Sequence, residues 1–230
     1  MRQTLADTMM ERLQVLPLFQ GMSQSDMTWL MEKLRFDFSK VKAGEYIVCQ
    51  DCVCDSLIFI LSGEVEMEAR NSTDTFCFHE KIAVPNVLQP EFLFGPQTRY
   101  TSSFKATTDT NILKVSKSEF WTHLIGYEVF RLNFLNLLSA RAQNAQKIIW
   151  ASGIGTLEQR LIRFFLKFCQ KPVGEKMLKI KMEDLAAEMS ETRANISKVL
   201  NEMQQAGLIR LKRSAIEIPR MELLYPQIRK

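Results

Sequence analysis

The stretch Met182 to Asn201, MEDLAAEMSETRANISKVLN, decides the fold. It reads as a short helix, a turn at Ser190 and a second helix beginning near Thr192, the pattern of a helix-turn-helix. Ala186 is small where two helices must cross closely, Leu185 and Met189 face inward, and Ile196, Val199, Leu200 and Met203 make the buried stripe of the second helix. Its other face then carries Arg193, Ala194, Ser197, Lys198 and Asn201. A helix so built can lie in the major groove of duplex DNA with its N-terminal side chains at base edges, where arginine bonds guanine O6 and N7 together. Arg193 is the expected base reader, with Lys198 and Ser197 as further contacts along the same face. Thr192, Asn195 and Asn201 have the polar groups needed to fix register on the sugar-phosphate backbone, and the helix N-terminus itself favours a phosphate.

Downstream, Ala206 to Ile218 gives a glycine stop, two strands and a polar turn, the shape of a β-wing, with Arg210, Lys212 and Arg213 at its tip or flank for backbone contacts. Upstream, Thr156 and Gln159 form a capping-box signature for a helix over Leu157 to Cys169, whose core side is Leu161, Phe164, Phe165 and Phe168 and which Pro172 and Gly174 end. Ala151-Ser-Gly-Ile-Gly155 reads as a hinge, because two glycines within three residues end a helix at little cost. Before the hinge, Tyr127 to Trp150 contains no Gly or Pro, and Leu135, Leu138, Ala142, Ala145 and Ile149 recur at alternating spacings of three and four. This seam predicts a dimer interface. The alternative is a helix packed on its own β-domain, but Phe130, Phe134 and Ile148 add more apolar surface than one contact face uses.

The N-terminal half opens with helical spacing over Leu5 to Leu16 and Ser23 to Leu34, with Ser23 or Ser25 as cap of the second helix. From about Phe36 the period changes. Tyr46 to Val48, Leu57 to Leu61, Gly63 to Ala69, Phe76 to Ile82, Phe104 to Thr107 and Ile112 to Val115 read as short strands between turns, which points to an antiparallel roll or barrel. Val65, Met67 and Ala69 alternate with Glu64, Glu66 and Glu68, so one face of that strand is dry and the other wet. The expected organisation is an α+β chain: a β-roll over 1–126, a long helix over 127–152, and a winged helix-turn-helix over 153–230.

Charge agrees with this division. The net charge is +4, made of −2 up to Gly155 and +6 in the 75 residues after it, which suggests a polyanionic partner for the C-terminal part. Apolar runs are too short for a membrane span, and the N-terminus lacks the apolar core of a signal peptide, so a cytoplasmic chain with no membrane partner is expected. Cys49, Cys52, Cys54, Cys77 and Cys169 are odd in number and scattered, which argues for reduced thiols. His79 and His123 are the only histidines and lie far apart, so neither an enzyme nor a metal site is expected.

Leu18-Phe19-Gln-Gly-Met-Ser23, Ala43-Gly-Glu-Tyr-Ile47 with Asp55-Ser-Leu-Ile-Phe-Ile-Leu-Ser-Gly63, and Leu185-Ala186 through Lys198-Val-Leu200 together resemble three landmarks of the Crp/Fnr family of bacterial transcription regulators, the family of the cyclic-AMP receptor protein. The resemblance runs from about Leu16 to Leu224. It implies a cyclic-nucleotide-binding-like jelly roll, a dimerisation helix, a winged helix-turn-helix, a homodimer on palindromic duplex DNA, and contact with RNA polymerase.

The chain departs from the family pattern at several places. The recognition helix keeps Arg193 of the common Arg-Glu-x-x-x-Arg but has Ala194 and Lys198 at the other two positions, and Ser190 replaces the usual turn glycine. Alignment on Phe104-Lys-Ala106 puts Tyr100 where cyclic-nucleotide binders resemble an Arg-Ser or Arg-Thr pair, with Arg99 one residue off and so on the other face. Cyclic AMP is therefore not the expected effector. Glu91, Arg99 and Thr101 are the candidate contacts for another small effector, none being obligatory. Cys49, Cys52 and Cys54 crowd one turn, but the N-terminal cysteine cluster of the family's oxygen sensors has no counterpart before Cys49, so no iron-sulfur cluster is expected. Three alternatives stay open: a permanently active regulator with a vestigial roll, a thiol- or metal-responsive regulator, and a ligand-binding module acting on a protein partner.

Overall fold

The computed structural model describes residues 11, 13–151 and 155–224, without the side chains of 31 and 148–151. Most of the helix expected over Leu5 to Leu16 lies outside these residues, as do Gly153 of the expected hinge and the Ile149 side chain of the expected seam. The chain forms two compact units, one holding residues up to 65 with 82–142, the other 66–81 with the residues from 143 onward.

In the first unit, Gln24–Lys33 is a helix because Ser23 at its cap accepts from the Asp26 N–H at 3.1 Å. Strands β1 (Asp37–Val41), β2 (Tyr46–Val48), β3 (Ser56–Ser62), β6 (Asn86–Leu88), β7 (Ser103–Ala106) and β8 (Thr110–Ser116) follow, while β4 (Val65–Arg70) and β5 (Phe76–Ile82) make the hairpin between β3 and β6. One sheet runs β1-β8-β3-β6, antiparallel throughout, and β2 pairs with β7. Leu57 through Leu61 are all buried, which explains why β3 reads as a continuous apolar run rather than an alternating one. The antiparallel roll is thus as the sequence leads one to expect.

The core is aromatic. Phe59 of β3 meets Phe19 of the entry turn at 5.5 Å, and Phe19 meets Phe130 of the long helix Glu128–Ala151 at 5.2 Å. Phe120 adds contacts to Phe130 and Phe134 at 6.0 and 4.9 Å, within the range of favourable tilted ring pairs. Gly63, with φ +104°, turns the chain out of β3 where a Cβ would stand 2.7 Å from the Thr110 Cα, so only glycine fits.

In the second unit, helix Leu157–Phe168 starts at a complete capping box: Thr156 Oγ1 accepts from the Gln159 N–H and Gln159 Oε1 from the Thr156 N–H. Strands β9 (Lys176–Ile180), β10 (Arg210–Lys212) and β11 (Ala215–Ile218) form a sheet in which β9 lies between β11 and β5, with β4 beyond β5. Phe76 and Phe78 of β5 pack on Phe164 and Phe168 at 5.0 to 5.9 Å. On the same strand face Glu80 meets Lys176 of β9: Oε1 lies 3.1 Å from Nζ, and the two side chains are 3% and 2% exposed. The carboxylate also accepts from the backbone N–H groups of Gln170 and Lys171, while Lys176 donates to the Val173 carbonyl. Burial pushes the Glu80 carboxyl above its ordinary pKa, against the pull of Lys176 and those backbone donors.

Three strands were not anticipated. β1 is mostly exposed, β6 spans three residues, and β9 carries a buried lysine where a strand pattern calls for an apolar residue. The side chain of Lys176 reaches the core only because Glu80 awaits it from a distant strand. Glu80→Ala would leave that ammonium buried and unpaired, so it should cost about 3–5 kcal/mol in chemical denaturation. Lys81→Ala, which breaks the exposed Lys81–Glu175 pair, should cost less than about 1 kcal/mol.

Candidate nucleic-acid interface

Helix Met182–Glu188 and helix Arg193–Gln205 are joined by a turn in which Ser190 has φ +53°. The turn is tied on both sides: Glu191 N–H donates to the Ala186 carbonyl at 2.9 Å, and Arg160 pairs with Glu191 at 2.9 Å while donating to the Met189 carbonyl. Asn195 and Arg160 hold the Glu191 carboxyl below the usual carboxylate range. Thr192 caps the second helix by accepting from the Asn195 N–H at 3.2 Å.

The buried stripe contains Leu185, Ala186, Met189, Ile196, Leu200 and Met203; Val199, expected among them, is half-buried. Arg193, Ala194, Asn195, Lys198 and Asn201 are exposed together, with Ser197 half-buried beside them and accepting from Asn201 at 3.4 Å. Arg193 touches Glu183 at 3.4 Å, but both side chains are more than two-thirds exposed, so water screens the pair and the guanidinium is readily released. Asn195 is also engaged, donating to Glu191.

β10 and β11 form a hairpin with Arg213 and Ser214 at its tip, Ser214 having φ +54°. Gln204 of the second helix accepts from the Leu211 N–H at 2.7 Å and so fixes the wing to that helix. Lys212 pairs with Glu217, whereas Lys198, Arg210 and Arg213 are exposed and have no ion-pair partner among the described residues. A hollow of about 320 Å³, lined by Lys181, Glu183, Arg193, Leu211, Lys212 and Ser214, separates the helix start from the wing. Neither that hollow nor the role of Arg160 is legible in the sequence, because Arg160 acts through one carbonyl and one carboxylate distant from it along the chain.

In the roll, Tyr100 is 2% exposed and donates to the Ser56 carbonyl, while Arg99 beside it is exposed and donates to the Asp51 carbonyl. The one-residue offset therefore does change the face. Glu91 pairs with Arg141 of the long helix, and the Thr101 hydroxyl accepts from Gln89 at 2.8 Å, so the three residues named for an effector each have their own partner. All five cysteines are free thiols; burial raises the pKa of Cys54, Cys77 and Cys169, and Cys49 and Cys52 are exposed. Among the described residues no helix is long and apolar enough to cross a membrane.

A winged helix-turn-helix with an outward basic face, carried by a chain with an antiparallel roll, defines a DNA-binding transcription regulator. Comparison with known proteins makes the class specific. Residues 38–125 match the model of the cyclic nucleotide-binding domain and residues 159–226 that of the Crp-like helix-turn-helix domain. The fold is shared with a Crp/Fnr-family regulator from Eubacterium rectale (TM-score 0.54, 18% identity, 93% of this chain and 98% of that one). The catabolite activator protein of Thermus thermophilus is similar (TM-score 0.50, 19% identity, 92% and 98%), as is the c-di-GMP-responsive global regulator CLP of Xanthomonas campestris (TM-score 0.51, 14% identity, 86% and 99%). Comparison with curated proteins gives no match. The chain belongs to the Crp/Fnr family of transcription regulators.

The left-handed backbone at Ser190 disfavours a side chain with a Cβ. Ser190→Gly should therefore raise stability by about 0.5–1 kcal/mol, seen as a higher Tm, and leave DNA affinity unchanged.

Proposed function

We propose that the protein is a homodimer that binds a palindromic operator, reading each half-site with Arg193, Lys198 and Ser197. The observation that carries this reading is the shared exposure of Arg193 and Lys198 on a helix whose opposite face is packed. Thr192, Asn195 and Asn201 on the helix, and Arg210, Lys212 and Arg213 on the wing, would meet phosphates on either side. Of these, Thr192 already caps the helix with its hydroxyl, which accepts from the Asn195 N–H, so it would meet a phosphate at the helix N-terminus that it caps. With Ala194 in place of a carboxylate, no acceptor for cytosine N4 stands at that position, so the operator differs from one read by Arg-Glu-x-x-x-Arg.

Dimerisation rests on the long helix. Leu132 and Leu135 are 56% and 53% exposed, Leu138 is half-buried, and Ala142 and Ala145 are exposed. Such a stripe on a single chain is stabilised by a second copy, with the alanines permitting close approach. Ile149 continues the same spacing. In functional terms 1–126 would then be the effector module, 127–152 the dimer helix and 153–230 the DNA-binding part, the hairpin 66–81 of the first packing in one compact unit with the last.

A cyclic-nucleotide-binding-type domain supports control by a small effector, and Tyr100 in the place of the phosphate-holding arginine argues against cyclic AMP. An effector meeting Glu91 would compete with Arg141, and so act directly on the dimer helix. Arg99 and Thr101 would have to exchange the Asp51 carbonyl and Gln89 for the ligand in the same way. Regulation of transcription in the cytoplasm further implies RNA polymerase as a partner.

Selection from a random duplex library should enrich a palindrome with half-site centres about 10 bp apart. Arg193→Ala should relax one symmetric position by about 1–3 kcal/mol while keeping non-specific binding. An enriched motif unaltered by Arg193→Ala would refute the assignment of the reading residue. Leu135→Glu should convert the dimer to a monomer in sedimentation and weaken operator binding more than non-specific binding.

A further inference from the structure

Glu66 and Glu68 alternate with the buried Val65, Met67 and Ala69 along β4, so both carboxylates leave the same face of the strand. His79 lies on β5 with a side chain only 8% exposed, its Nδ1 3.5 Å from Glu66 Oε2. Its Nε2 is buried and has no hydrogen-bond partner among the described residues. One ring nitrogen of His79 and one oxygen from each carboxylate all lie within 4.8 Å of one another.

We propose that Glu66, Glu68 and His79 bind a divalent transition-metal cation. Two neighbouring carboxylates repel, and a buried imidazole with an unused nitrogen has lost its water without full replacement. A cation between the carboxylates and the imidazole removes the repulsion and gives the ring a charged partner in place of the 3.5 Å contact of Nδ1 with Glu66. Tetrahedral bonds of about 2.1 Å place ligand atoms about 3.4 Å apart, so carboxylate rotation over roughly 1 Å closes the site. Imidazole nitrogen with carboxylate oxygen suits zinc, manganese, iron or cobalt in the divalent state, with water completing the shell. The other charges near this face are Arg70, 3.9 Å from Glu68 and 3.0 Å from Asp74, and Lys179, opposite Cys77. Arg70 therefore competes with the cation for Glu68 and occupies that carboxylate when no metal is bound.

The location gives the cation a consequence. β5 pairs with β9 inside the unit that also holds the helix-turn-helix, so clasping β4 to β5 strengthens the sheet on which the wing is built. The proposal does not depend on the operator reading, because metal binding is measured without DNA.

The test uses the full chain, stripped with a chelator, and Co²⁺ as probe. Micromolar Co²⁺ should raise Tm and produce visible d–d absorption without the near-ultraviolet sulfur-to-cobalt band that ligation by Cys49, Cys52 or Cys54 would show. His79→Gln and Glu66→Gln should each weaken binding at least tenfold and remove the Tm shift, whereas His123→Gln should not. Glu66 is half-buried, so its variant carries the test even where His79→Gln disturbs folding. Millimolar binding only, a sulfur-to-cobalt band, or unchanged affinity in Glu66→Gln would overturn the proposal.

Discussion

The antiparallel pairing of β5 with β9 is the constraint on which the second unit depends. It brings Phe76 and Phe78 onto Phe164 and Phe168 and seals Glu80 against Lys176 within the same layer. A buried ion pair of this kind adds little net stability over an apolar pair of equal size, but it tolerates no mismatch, since either charge alone would be stranded. It thereby fixes register: a slip of one residue would turn Glu80 and both phenylalanines to the wrong face. From β9 the order passes to β11 and β10, and from β10 to the second helix of the motif through Gln204 and Leu211. The basic wing and the outward arginine thus hold their spacing because of a strand that comes from the middle of the N-terminal half.

Helix Leu157–Phe168 adds the second support. Its buried side packs in the unit's core, while Arg160 reaches Glu191 and the Met189 carbonyl, the two ends of the turn that carries Ser190. A serine in a left-handed turn is mildly unfavourable by itself, and these hydrogen bonds over-determine the conformation. Local strain and distant tethers together keep Arg193 at the first turn of its helix, facing water.

Local patterns were legible in the sequence and distant pairings were not. The capping box at Thr156 and Gln159, the cap at Ser23 and the split of the helix from 193 to 205 into packed and open faces depend on residues within a turn or two of each other. The alternation of Tyr100 and Arg99 was equally local, one residue being one face. By contrast, β9 hid behind Lys176, whose burial makes sense only once Glu80 is opposite it. His79 looked isolated because Glu66 and Glu68 meet it across a hairpin rather than along the chain. Val199 shows the limit of periodicity, which places a residue on a helix face but not at its edge or centre.

The central claim is that the open face of the second helix and the wing bind duplex DNA. The most direct measurement is the affinity of the full chain for duplex DNA across a series of salt concentrations. In the proposed dimer Arg210, Lys212 and Arg213 would supply up to about six phosphate contacts, so log K should fall linearly with log salt at a slope of up to about −5, and the slope should shrink when these three become alanine. Binding that is absent at low salt, or insensitive to salt and to these substitutions, would contradict the account and make the winged helix a protein-docking surface instead.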